Sequence, residues 1–231
     1  MSLRWKKFGG MLAGAAPLVG AFISLAWLGW SVDAAPTSVF LAMARHPIGA
    51  IALIQTFYTA LLGLLWMRYR PFKAPEGVEW PKVSVIIPAY NEGPMVGRSI
   101  RSVAACAYPK DKLEVIVVDD GSRDDTFFHM QFLRREFPDL VKLVRFSGNR
   151  GKRSALVAGI RAATGDFIVT IDSDSEIDPR TVHEMVTPFL ADPQVGGVAG
   201  RVAVLNRDSP ISRMLEVQFT LAFDYGRAAQ S

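Results

Sequence analysis

Leu113-Glu-Val-Ile-Val-Val-Asp-Asp-Gly-Ser122 is an apolar run of strand length that stops sharply at two acids, a glycine and a serine. A short aliphatic, β-branched run bounded by turn formers reads as a strand buried on both faces. Outward from it, Val83-Ser-Val-Ile-Ile87 is closed by Pro88, Val141-Lys-Leu-Val-Arg145 runs into a polar glycine loop, and Phe167-Ile-Val-Thr-Ile171 precedes Asp172. Helix-patterned stretches lie between them, at Gly93–Cys106, Asp124–Glu136 and Lys152–Ala163. The alternation predicts an α/β fold, a mostly parallel sheet with flanking helices joined by right-handed crossovers. A later apolar run, Val195–Leu205, reads as further strand.

In such sheets ligands bind beyond the carboxyl ends of the strands. The residues to read are therefore Tyr90, Asn91 and Glu92 after the first strand, Asp119 and Asp120 after the second, and Asp172 and Asp174 after the fourth. Asp172-Ser173-Asp174 is a D-x-D. Alternate side chains of an extended segment share a face, so both carboxylates can point at one ion. Oxygen ligands alone, at low count, suit Mg2+ or Mn2+ partly held by a substrate diphosphate. A solvated acidic loop is the competing reading, and the position at a strand end favours the metal. Asp119-Asp120-Gly-Ser serves equally as a turn and helix cap or as a nucleoside-binding pair. Tyr90 either stacks on a base or packs against the sheet edge. Gly151-Lys152-Arg153 is not a P-loop, because Phe146 and Arg153 stand where glycine and Ser/Thr are required. Lys152 and Arg153 at a helix start still form a phosphate clamp or, in the ordinary reading, two solvated cations. No G-x-G-x-x-G follows the first strand, which argues against a dinucleotide-binding dehydrogenase.

The chain of 231 residues is 50% hydrophobic and 21% charged, which excludes a disordered protein. Its net charge of +4 would suggest a nucleic-acid partner if spread over the fold. It is not spread: residues 1–80 carry seven Lys/Arg against three acids, and the remaining 151 residues carry 19 of each. Residues 8–30 and 47–67 are uncharged, each long enough for a membrane span. The first is too long for a signal-peptide core and lacks an A-x-A end. Lys6 and Lys7 precede the first run, and Arg68, Arg70 and Lys73 follow the second, which places both ends in the cytoplasm and residues 31–46 outside. Trp27, Trp30 and Trp66 mark span ends, and Gly10 and Gly14 form a G-x-x-x-G in an Ala/Gly-rich stretch. The expected organisation is a two-helix transmembrane module over residues 1–72, a Pro/Gly linker over 73–82 and a cytoplasmic domain over 83–231. Cys106 is the sole cysteine, so there is no intrachain disulfide and no Cys/His zinc cluster, and a reducing compartment fits.

Taken in order, Val85-Ile-Ile-Pro-Ala-Tyr-Asn-Glu92, Val117-Val-Asp-Asp-Gly-Ser-Arg-Asp-Asp-Thr126, Asn149-Arg-Gly-Lys-Arg153 and Asp172-Ser-Asp-Ser175 resemble the inverting family 2 glycosyltransferases of GT-A fold. The resemblance covers residues 83–231 and is nearest to the membrane-embedded, processive hyaluronan synthases, with chitin-oligosaccharide and cellulose synthases further off. Ala222–Ser231 is similar to a hyaluronan-synthase segment, although Gly226 stands where those enzymes usually carry glutamate. The resemblance implies that Tyr90, Glu92 and Asp119 or Asp120 hold the uridine of a UDP-sugar. It also implies that Lys152 and Arg153 contact the donor or its phosphates, and that Asp172 and Asp174 bind the metal. An inverting polysaccharide synthase of the plasma (inner) membrane is expected, with a lipid bilayer around its spans and no nucleic-acid partner. Transfer to a polyprenyl phosphate and a catalytically incomplete, membrane-anchored nucleotide-sugar-binding fragment are the alternatives. The family places its general base, acceptor segment and Q-x-x-R-W motif C-terminal to the matched region, so the chain to Ser231 is expected to be the donor-binding half of a longer enzyme.

Ser209-Pro210 is expected to open a helix, with serine as N-cap and proline in the first turn. Ile211, Met214, Leu215, Phe219, Ala222 and Phe223 follow helical spacing. That face suits either the sheet or a membrane interface, and the resemblance favours the interface.

Overall fold

The computed structural model describes residues 47–68, 70–206, 208–220 and 223. The first expected span with its flanking lysines, the loop before residue 47 and the Ala222–Ser231 segment (Phe223 apart) lie outside the described residues. The chain divides into two units, of which Phe72–Gly200 is one.

This unit carries a four-stranded, all-parallel sheet. Its strands are β1 (Val83–Ala89), β2 (Leu113–Asp119), β3 (Val141–Arg145) and β4 (Phe167–Thr170), in the order β3-β2-β1-β4. Every residue of β1 and β2 is buried, as unbroken apolar runs at the centre of a parallel sheet should be. Numbering the helices from α1 (Pro47–Arg68), which lies outside this unit, the crossovers are α2 (Met95–Ala104), α3 (Thr126–Glu136) and α4 (Lys152–Ala162), followed by α5 (Thr181–Ala191).

Period-two alternation sorts the sheet's side chains onto two faces. On one, Val85, Ile87, Val115 and Val117 pack with Val96 and Ile100 of α2, Met130 and Leu133 of α3, and Val182 and Val186 of α5. On the other, Ile86, Ile116 and Val118 meet Ala155 and Leu156 of α4. The chain winds from β1 outward to β3 and then returns to place β4 on the other side of β1. The strand order therefore reverses between β1 and β4, the position where open α/β sheets hold their ligands.

Trp80, at the end of the expected linker, is already part of the fold: its ring lies edge-on to His183 at 4.3 Å and to Tyr108 at 5.8 Å. Tyr108 donates to the Pro81 carbonyl at 2.7 Å, and burial, with the charges of Asp166 and Cys106, pushes its hydroxyl up to about 12.

Val195–Leu205 forms no strand, contrary to expectation. Gly196, Gly197 and Gly200 weaken an extended run, and an apolar stretch becomes a strand only where a neighbour offers a ladder. Among the described residues no helix is long and apolar enough to cross a membrane. Helix α1 occupies the second uncharged run, which the polar Gln55 and Thr56 interrupt. Helix α6 (Pro210–Thr220) opens as expected, the Ser209 hydroxyl accepting the Ser212 N–H at 3.1 Å.

Candidate active site

A cleft of about 300 Å³ opens at the carboxyl ends of β1, β2 and β4, over the point where the strand order reverses. Its wall includes Tyr90 and Glu92 from the loop after β1, Asp120 from the end of β2, Asn149, Gly151 and Lys152 from the loop opening α4, and Asp172, Ser173 and Asp174 after β4. Six of the eight residues that the resemblance assigns to donor and metal therefore meet in one cavity. Asp119 and Arg153 are not among the residues that line it.

Asp119 and Asp120, adjacent and chemically identical, have different tasks. Asp119 is fully buried; its carboxylate accepts the Ser122 N–H at 2.9 Å and the Arg145 Nε at 3.1 Å. It thus braces the turn after β2 against β3. Asp120 faces the cleft while its two oxygens accept the Arg150 and Gly151 N–H groups, at 2.7 and 2.8 Å. The two amides just before α4 are consequently spent on Asp120. Gly151, at φ +88°, makes the left-handed corner from which α4 departs.

After β4 the chain does not stay extended as expected: Ser173 and Asp174 form a turn in which the Ser175 N–H donates to the Asp172 carbonyl at 3.1 Å, and the turn leaves Asp172 and Asp174 exposed while Ser173 is buried, its carbonyl held by the Ser99 hydroxyl of α2 at 2.7 Å. Ser102 anchors the same loop, accepting the Ile177 N–H at 3.1 Å. Among the described residues no third His, Cys, Asp or Glu joins the two aspartates in a metal-holding group. Two hard oxygen donors of this kind fit a divalent cation whose remaining positions come from phosphate oxygens and water. The Lys152 ammonium lies 2.6 Å from Asp172, and both side chains are more than half exposed. Exposed pairs of this sort contribute at most about 1 kcal/mol, so a divalent cation or a diphosphate displaces the contact at little cost.

Tyr90 is 39% exposed and lines the cleft, its ring available to a planar ligand. Asn149, Ser99 and Ser102 had no assigned role in the sequence. Asn149 opens one of the motifs that carry the resemblance but has no role there, and the two serines sit in a helix whose pattern reports burial but not partners.

Residues 84–229 match the profile described as Glycosyl transferase family 2. An N-acetylglucosaminyltransferase of Azorhizobium caulinodans is 35% identical over 153 residues, 65% of this chain and 38% of that protein. A poly-beta-1,6-N-acetyl-D-glucosamine synthase of Staphylococcus aureus is 27% identical over 177 residues, 71% of this chain and 42% of that protein. A solved structure of the mannosyltransferase PcManGT from Pyrobaculum calidifontis, in complex with GDP-Man and Mn2+, is similar with a TM-score of 0.53 at 34% identity. It covers 68% of this chain, which covers 46% of it. The chain spans about two fifths of the length of the curated relatives it matches.

Proposed function

The chain belongs to glycosyl transferase family 2, and from that premise we propose that it binds a UDP-sugar with Mg2+ or Mn2+ and transfers the sugar, with inversion, to a growing polysaccharide. The single observation that carries the reading is the cleft itself. At a strand-order reversal it gathers an exposed aromatic ring, a carboxylate pair and a lysine, the groups that a nucleoside, a metal and a diphosphate each require.

In this reading Tyr90 stacks on the base, with Glu92 and Asp120 bordering the nucleoside. Lys152 exchanges Asp172 for a phosphate oxygen. Asp172 and Asp174 would hold the divalent ion, which when bound supplies Lewis acidity to the departing diphosphate. A carboxylate that deprotonates the acceptor hydroxyl completes inversion. The relatives point to N-acetylglucosamine as the sugar, a narrower and different indication from the hyaluronan branch that the motifs resemble. A membrane location is part of the proposal. It is supported by the two uncharged runs, by exposed Ile51, Ile54, Phe57 and Leu64 along α1, and by Ile211 and Met214, exposed on α6. The basic residues flanking the runs favour a cytoplasmic catalytic domain.

Calorimetry with UDP in the presence and absence of Mn2+ tests the donor site. Asp172→Asn/Asp174→Asn is expected to weaken UDP binding about tenfold and to abolish its metal dependence. Unchanged, metal-independent affinity in the double variant would remove the metal from the proposal. Titration with UDP-N-acetylglucosamine against UDP-glucose ranks the sugars.

A further inference from the structure

We propose that Thr126 is a positioning residue for the nucleoside end of the cleft, its buried hydroxyl fixing the turn that carries Tyr90 and Glu92. The ligand in this inference rests on the family 2 reading; the clamp rests on geometry alone.

Thr126 begins α3, is fully buried and does not line the cleft, so it reaches a ligand only through other residues. Its Oγ1 accepts the N–H groups of Glu92 and Gly93, both at 2.8 Å, and donates to the Asp124 carboxylate at 2.6 Å. A hydroxyl has one donor and two acceptor sites, so this one is fully used. The second Asp124 oxygen also accepts the Gly93 N–H, at 3.2 Å. One residue earlier, the Asn91 N–H donates to the Ser122 hydroxyl at 3.0 Å, and its side-chain oxygen accepts the Arg123 N–H at 2.9 Å. Residues 91–93 are thus stitched to residues 122–126 at each position.

The turn needs this. Asn91 and Gly93 both have left-handed φ, +54° and +52°. Glycine adopts that conformation freely, and asparagine tolerates it better than other side chains but at a cost that the surrounding bonds must cover. Tyr90 and Glu92 flank the strained Asn91, so a relaxed turn would move both out of the cleft wall. The opposite side, Lys152, Asp172 and Asp174, hangs on α4 and on Ser99 of α2, whereas the Thr126 hydroxyl bonds to Glu92, Gly93 and Asp124. The clamp therefore serves the nucleoside side and not the diphosphate side.

The test is Thr126→Val, which keeps the shape and removes the hydroxyl, with Thr126→Ser restoring it. In the full chain, UDP affinity is expected to fall about tenfold in T126V, whereas pyrophosphate affinity with Mn2+ stays within about twofold. T126S is expected to return UDP affinity to near wild type. Amide exchange at Glu92 and Gly93 is expected to accelerate about tenfold or more in T126V and not in T126S. Should T126V fold poorly, Asp124→Ala, at an exposed position, gives the same pattern at about threefold on UDP. Equal losses of UDP and pyrophosphate affinity, or unchanged UDP affinity, would overturn the positioning role. If the wild-type chain bound no UDP, the donor reading would fail by itself. Amide exchange would still decide the clamp, unaltered protection in T126V overturning it.

Discussion

Gly121→Ala is expected to destabilise the α/β unit by about 2–5 kcal/mol and to weaken UDP binding in whatever remains folded. Gly121 has φ +74°, a region that costs an L-residue about 1–2 kcal/mol. A Cβ there would also stand 2.4 Å from the Gly148 carbonyl carbon, 2.5 Å from its Cα and 2.8 Å from the Asn149 nitrogen. These are backbone atoms, which cannot rotate aside, so overpacking adds a further 1–3 kcal/mol or so. Against a total stability of roughly 5–15 kcal/mol, that is a large fraction. The displaced segment opens α4 and is tied to Asp120, the residue before Gly121, so the strain is delivered into the cleft. Gly148→Ala is the control: its own Cβ would meet nothing within 4 Å, and a change below about 0.5 kcal/mol is expected. Urea unfolding of the two variants beside wild type measures both. A Gly121→Ala midpoint close to that of Gly148→Ala would refute the packing argument.

The same neighbourhood shows how far a sequence reaches. The two central strands were legible because their apolar runs are buried on both faces, although β1 continues through the expected stop at Pro88 to Ala89, and the partly buried β3 and β4 were legible as shorter apolar runs ahead of a glycine loop and of Asp172. The cleft followed from those ends, since parallel strands bring their carboxyl termini to one edge. Asp119 and Asp120 could not be separated, because what distinguishes them is the direction of alternate side chains and an arginine 26 residues away. Thr126 was hidden for a similar reason. In sequence it belongs to a helix start, and its true partners, the amides of Glu92 and Gly93, carry no residue signature. Val195–Leu205 misled in the opposite sense, since apolar content is necessary for a strand and a ladder partner is not written locally.

The aspartates around the cleft therefore divide by the partners they hold. Asp119, Asp120 and Asp124 spend their oxygens on backbone amides and side chains of neighbouring loops, so the cleft is built before any ligand arrives. Asp172 and Asp174 are exposed, and the strongest contact of the pair is an ammonium that exchanges freely with solvent. Preorganised walls and uncommitted ligand groups are the combination that binding requires, since ordering the site on binding would be subtracted from affinity.

At the far end of the sheet, Glu114→Ala is expected to cost about 3 kcal/mol without touching the cleft. Glu114 is a buried acid on β2, opposite Ser84 of β1 in the ladder. It accepts the Ser84 hydroxyl, the Lys142 ammonium at 2.6 Å, and the N–H and hydroxyl of Thr164 at 2.6 and 2.9 Å. Truncation leaves the buried Ser84 hydroxyl and the Thr164 N–H without their acceptor, and each unmade bond costs about 1–3 kcal/mol. Glu114→Gln retains an acceptor oxygen and should lose about half as much. The pH dependence gives an independent sign. Burial raises the Glu114 carboxyl, but bonds from Lys142, Ser84 and Thr164 outweigh it and bring the group down to about 2, from 4.5. A depressed folded value means that the unfolded chain takes up the proton first. The stabilisation is complete above about pH 4.5 and is lost as the pH falls toward 2, on the order of 2 kcal/mol once solvent screening of the half-exposed Lys142 is allowed for. Wild type should therefore lose stability between pH 5 and pH 2 more steeply than Glu114→Gln, which has no proton to gain there. Parallel stability curves for the two proteins across that window would show that the carboxylate is not held ionised by these bonds.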